Sequence, residues 1–297
     1  TDRSSPAVVT INLPEMQMLL ETLPAGNEEA RYLAESRLIE IGAPAVRPLF
    51  GLLTCEDAAL VDTARRVLRW IAQRWADSPE QQPAISAALL ELAQPGKPAA
   101  AREFAVTLLG LAGTQEAVPV LETLLGDQAL RQAARGALAQ IPGPQATAAL
   151  VGALKAGAEE FRALVAADLG ARCDPAAVPA LAEAVKDRSE AVSLAAIAAL
   201  GRIGDPAGLS ALYPMVSGGS PSARPAAVDA VCRIADGYAA RGESAAARGL
   251  YEAMLPYAAE VPQQLAVLAG IMRVAGPASL AKAVPFLGAA DERVQVM

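Results

Sequence analysis

Arginines and two tryptophans crowd one short stretch, Arg65-Arg66-Val67-Leu68-Arg69-Trp70-Ile71-Ala72-Gln73-Arg74-Trp75. At helical spacing Ala64, Leu68, Ile71 and Trp75 share one face, which reads as core. Arg66, Trp70 and Arg74 follow at i, i+4 and i+8 as a second stripe. An indole between two guanidiniums invites cation–π stacking. The stripe reads in two ways: as aliphatic stems snorkelling beside the core, or as a binding hot spot for a protein or an anion.

Other candidate chemistry is sparse. Asp168 and Arg135 each interrupt an apolar helical pattern, and they are expected to meet as a partly buried ion pair, with Arg172, at i+4 from Asp168, as a competing partner. No second catalytic group accompanies Asp168. The chain has no histidine. That removes imidazole general bases, Ser-His and Cys-His nucleophile pairs and every His-ligated metal site. Cys55, Cys173 and Cys232 are far apart and show no CxxC spacing, so they read as small buried apolar residues. Gly96-Lys97 lacks the preceding Gly and the following Ser or Thr of a phosphate loop. The expectation is no catalytic residue, no metal and no cofactor.

The elements that must carry these residues are helices. Hydrophobic residues are 53% of the 297 and aromatics 4%. Alanine and leucine therefore supply most of the apolar surface, and both give up little entropy in a helix. Net charge is −7, and positive charge is 21 Arg against 4 Lys. With pI near 4.9 there is no global attraction to phosphates, so no nucleic acid partner is expected. No apolar stretch is long enough to span a membrane. The chain starts at Thr1, without Met, so a processed and exported form stands beside a cytoplasmic one as an expectation.

The helices repeat. Leu109-Gly110-Leu111-Ala112-Gly113, Leu138-Ala139-Gln140-Ile141-Pro142-Gly143, Leu169-Gly170-Ala171-Arg172-Cys173-Asp174-Pro175 and Leu200-Gly201-Arg202-Ile203-Gly204-Asp205-Pro206 align. Taking Gly113, Gly143, Cys173 and Gly204 as turn anchors, the spacings are 30, 30 and 31 residues. A helix of about four turns precedes each anchor, and a second apolar helix follows it. One such hairpin cannot bury its apolar face alone, whereas a row of them makes a continuous core. Glycine at the anchor stops the first helix by tolerating positive φ. Asp174 and Asp205 are placed to cap the second helix, with Pro175 and Pro206 at its first position. Gly110, Gly170 and Gly201 form a small slot where helices approach closely.

On these residues the chain resembles the HEAT-repeat family, in particular bacterial HEAT-like repeats of the phycobilisome-lyase type. Ala199-Leu200-Gly201-Arg202-Ile203-Gly204-Asp205-Pro206 carries the likeness most fully, and weaker copies lie around Gly42 and Gly276. The resemblance implies an all-α fold, a right-handed α-solenoid (superhelix) of about eight armadillo-like helical hairpins. It also implies a structural ladder. Arg31, Arg102 and Arg162 occupy one slot eleven residues before the anchor, and the family's arginine there meets the turn aspartate of a neighbouring repeat. The alternative for that slot is a recognition ladder for a partner's carboxylates. HEAT-like hydroxylases hold iron with His-Glu pairs, which this chain lacks.

Along the chain, residues 1–13 read as an extended arm, and Val8, Val9 and Ile11 are candidates to pair with a partner's strand edge. Residues 14–297 read as one solenoid: a short helix at 14–23, regular repeats at 99–217, longer repeats at 56–94 and 222–258, and a further repeat starting at 291. Ser217 to Ser222 reads as a flexible connector. The function expected is a non-catalytic protein–protein interaction scaffold, an accessory subunit of a larger complex, with its partner on the concave helix row and Arg66, Trp70 and Arg74 in the contact. The alternative is a HEAT-like enzyme, bilin lyase-like or alkylbase DNA glycosylase-like.

Overall fold

The computed structural model describes residues 13–276. Among the described residues every regular element is helical. A short helix, α1 (Leu13–Ala25), precedes α2 (Glu28–Ile41), α3 (Ala43–Gly51), α4 (Ala58–Arg74), α5 (Gln81–Ala93), α6 (Ala99–Ala112), α7 (Val118–Leu124), α8 (Arg131–Gln140) and α9 (Pro144–Leu154). Then follow α10 (Glu159–Arg172), α11 (Val178–Ala184), α12 (Glu190–Ile203), α13 (Leu209–Gly218), α14 (Ala223–Ala240), α15 (Ser244–Met254) and α16 (Val261–Ala275). From α2 to α15 they pair as hairpins, and α16 follows the last pair. The arm with Val8, Val9 and Ile11, and the segment from 277 onward, including the repeat start at 291, lie outside the described residues.

The chain divides into two compact units, residues 1–146 and 147–297, with the division inside α9. In each unit a hairpin packs on the one before it and the one after it, as expected of an all-α solenoid. The cores are built from the periodic positions. Ala64, Leu68 and Ile71 of α4 are buried, as are Val165, Ala166 and Leu169 of α10 and Ala196, Ile197 and Leu200 of α12. α1 packs on α2 and is held there by Arg37, whose Nε donates to Glu15 Oε1 at 3.1 Å.

In the unit spanning residues 147–297 the first helices of successive hairpins pack tightly. A Cβ on Gly201 would stand 2.6 Å from Ala230 Cα, and one on Gly170 would stand 2.7 Å from Ala199 Cα. Contacts this close need a residue with no side chain, which is what the Leu-Gly slot supplies. In the first unit Gly110 is looser, at 3.3 Å from Ala137 Cα.

The anchors stop their helices by different means. Gly143 and Gly204 have φ of 104° and 72°. Cys173 takes the same left-handed conformation at φ 52° without being glycine. Gly113 departs from the expectation: its φ is −69°. It is glycine for space, since a Cβ there would lie 2.3 Å from the Leu109 carbonyl oxygen. Residues 217–222 are also not loose. Ser220 and Ser222 donate to Glu190 Oε1, and Arg224 Nε donates to the Gly219 carbonyl at 2.8 Å.

Candidate binding surface

The Arg-Trp stretch lies on α4, capped at its start by Asp57, whose Oδ1 accepts from the amides of Ala59 and Leu60. Trp75 ends the helix as a core residue, 8% exposed, with Nε1 donating to the Ile39 carbonyl at 2.7 Å. Trp70 faces out, 54% exposed. The expected stacking of Arg66 and Arg74 on Trp70 does not form among the described residues. Arg66 turns to α2, where Nη2 and Nε meet Glu35 Oε1 and Oε2 at 2.6 and 3.3 Å. Arg74 lies over the Trp75 ring, 5.0 Å from its centroid. Arg65 lies over Phe104, 5.8 Å from its centroid. Arg65, Arg66 and Arg74 each find a carboxylate or a ring, and the exposed guanidinium of Arg69 and indole of Trp70 are left to solvent.

The Glu35–Arg66 pair joins two parallel first helices, and exposed apolar groups flank it. Tyr32 and Leu33 on α2 are 69% and 60% exposed. Between α2 and α4 runs a groove of about 640 Å³, lined by Tyr32, Thr63 and Arg66 and by Glu28, Glu29 and Arg31 near the start of α2. Tyr32 and Leu33 carry no motif and were not marked by sequence. Their signal is weak: two large apolar side chains lie beside, not within, the buried set of Ala34, Leu38 and Ile41.

The arginine slot forms rungs, but to other carboxylates than expected. Arg162 donates to both oxygens of Asp187, Nη2 to Oδ1 at 3.2 Å. Arg102 approaches Asp127 at 3.7 Å and donates from Nε to the Ala93 carbonyl at 3.0 Å. Asp174 and Asp205 instead cap their own turns, accepting from the amides of Ala176 and Ala207 at 3.0 and 2.8 Å. The reason is helix length. The slot sits at the start of the first helix, roughly 16 Å along the axis from the anchor turn, beside the junction that holds Asp127 and Asp187. Arg31 makes no rung among the described residues. Its hairpin closes with an additional 3-10 turn, Leu52–Thr54, and the next aspartate, Asp57, caps α4.

These bonds set charge. The Arg162 hydrogen bond, then the Ser189 amide, hold the Asp187 carboxyl below the ordinary carboxylate range. The Thr147 hydroxyl, then the Ala176 amide, do the same for Asp174. Thr147, buried in α9, donates to Asp174 Oδ2 at 2.6 Å and accepts from Arg172 Nε at 3.1 Å. Arg135 lies in the first unit, where Nε donates to Gln132 Oε1 at 3.1 Å, and Asp168 lies half-buried on α10 in the second. Their pairing stays an expectation.

Sequence reasoning also missed a buried tyrosine. Tyr251 of α15 donates to Asp236 Oδ1 at 2.6 Å and accepts from Arg273 Nη2 at 2.8 Å, joining α14, α15 and α16. Burial, with Asp236 beside it, pushes its phenol up to about 12. No group of three or more Cys, Asp and Glu among the described residues is arranged to hold a metal. No helix among them is long and apolar enough to cross a membrane.

The sequence profile of HEAT repeats matches residues 86–166 and again 153–232. Residues 86–232 are HEAT repeats. The match is to HEAT repeats in general and does not reach the phycobilisome-lyase subtype. No curated protein matches the chain. Among solved structures, a Kap121p mutant is 13% identical over 95% of this chain, with a TM-score of 0.53, which shows the shared solenoid fold; this chain spans 36% of its length. YIBA of E. coli is 16% identical, covering 93% of this chain and 99% of its own, at a TM-score of 0.46. Human deoxyhypusine hydroxylase in complex with glycerol is 22% identical, covering 74% and 96%, at a TM-score of 0.33.

Proposed function

We propose that this HEAT-repeat protein is a non-catalytic protein–protein interaction scaffold, an accessory subunit of a larger complex, that receives its partner on the row of first helices. The observation that carries this reading is the exposure of Tyr32, Leu33 and Trp70 on adjacent first helices, around the Glu35–Arg66 pair. Large apolar groups grouped on a surface and ringed by charge mark an interaction site, and aromatic residues dominate the energy of such sites. Repeat proteins bind their partners along an extended face of stacked helices.

Affinity capture from the native source, with wild type beside Trp70→Ala and Tyr32→Ala, tests the reading. A partner retained by wild type and lost from both folded variants supports it. Bilin transfer, or excision of an alkylated base by the purified protein, would place the chain among HEAT-like enzymes instead.

A further inference from the structure

The first helices of the unit spanning residues 147–297 carry a chemically different surface. Ala167 and Gly170 of α10 and Ala195, Ala198 and Ala199 of α12 floor a hollow of about 220 Å³, with Arg202 of α12 and Arg233 of α14 as its only charged lining. Both arginines are exposed. Neither guanidinium hydrogen-bonds or forms an ion pair among the described residues, where most other arginines do. The nearby carboxylates on α14 are already engaged: Asp229 accepts from Gln263 Nε2 at 2.7 Å, and Asp236 accepts from Tyr251 and Arg273. In a chain of net charge −7, two free guanidiniums over a floor without bulk form a local positive site.

We infer that this hollow docks an acidic segment of a partner protein. The inference rests on the scaffold reading and names the chemistry of one contact. Alanine and glycine let a backbone lie close, and each guanidinium offers a planar fork to a carboxylate. Neighbouring helices are about 8–10 Å apart. Two acidic side chains about two to three residues apart in an extended segment span that distance.

The test is fluorescence anisotropy with a labelled Glu-Ala-Glu-Ala-Glu peptide, run against the lysine counterpart, inorganic phosphate and a single-stranded oligonucleotide. The acidic peptide is expected to bind the full chain and to weaken with salt. The double variant Arg202→Gln/Arg233→Gln is expected to lose about tenfold in affinity, and the double lysine variant to recover part of it. Circular dichroism confirms the fold of each. Absence of peptide binding, an unchanged affinity in the double glutamine variant, or tighter binding of the oligonucleotide would overturn the inference. Trp70→Ala leaves this peptide's affinity unchanged. Failure here beside successful Trp70-dependent capture therefore removes the acidic contact alone, and failure of capture alone removes the scaffold reading.

Discussion

Gly201 lies against Ala230 so closely that one added methyl would meet the Ala230 backbone at 2.6 Å. Gly170 and Ala199 repeat the contact one hairpin earlier. The spacing of the second unit's first helices is thus set by two missing side chains.

That relationship makes a signed prediction. Gly201→Ala gains helix propensity, yet must force α12 and α14 apart, with a net cost of about 1–3 kcal/mol. Gly136→Ala, in α8 where a Cβ meets nothing within 4 Å, keeps only the gain, about 0.5–1 kcal/mol. Urea unfolding of the two variants should shift the midpoint in opposite directions.

The two tryptophans should separate cleanly. Trp75→Ala empties a core site and strands the Ile39 carbonyl, costing about 3–5 kcal/mol. Trp70→Ala removes an exposed ring and should cost less than about 1 kcal/mol. Thermal unfolding followed by circular dichroism checks both. A large loss from Trp70→Ala would mean that its ring packs on something in the fold.

Acid should weaken the second unit through Asp187 and Asp174. Their folded pKa values are depressed, first by the Arg162 and Thr147 bonds respectively. The stabilisation is fully present above the unfolded value of about 3.9 and is lost as pH falls through the folded values. Urea midpoints should be indifferent to these groups from pH 7 to about 5 and fall below about pH 4. Asp187→Asn should be less stable at neutral pH and show a shallower acid slope.

The cysteines should react in order. Cys173 is exposed, Cys55 intermediate, and Cys232 is pushed up to about 12 by burial and then by Asp229 and Asp236. Iodoacetamide at pH 8 should therefore modify Cys173 first and reach Cys232 only on unfolding. Mass spectrometry of the digested protein reads the order.

Periodicity carried the fold, because burying one face of each hairpin requires the same apolar spacing in every repeat. The Asp-Pro turns at 174 and 205 and the Leu-Gly contacts were legible for that reason. Cys173 in a left-handed turn was legible only by alignment with Gly204. The site was less legible. Whether Arg66 turns to Trp70 or to Glu35 depends on the lateral register of α2 and α4, which helical spacing within one element does not encode. The rungs to Asp127 and Asp187 were missed likewise, since contact follows the helix end at which a residue lies and not its place in a motif. Tyr32 and the pair Arg202 and Arg233 have no sequence signature, because exposure and the lack of a partner are properties of the assembled row.

The most direct test of the account compares partner binding by wild type and by the double variant Tyr32→Ala/Trp70→Ala, both shown to be folded by circular dichroism. With the partner captured from the native source and its affinity measured by calorimetry, the account predicts at least about a tenfold loss for the double variant. An affinity equal to that of wild type would contradict it.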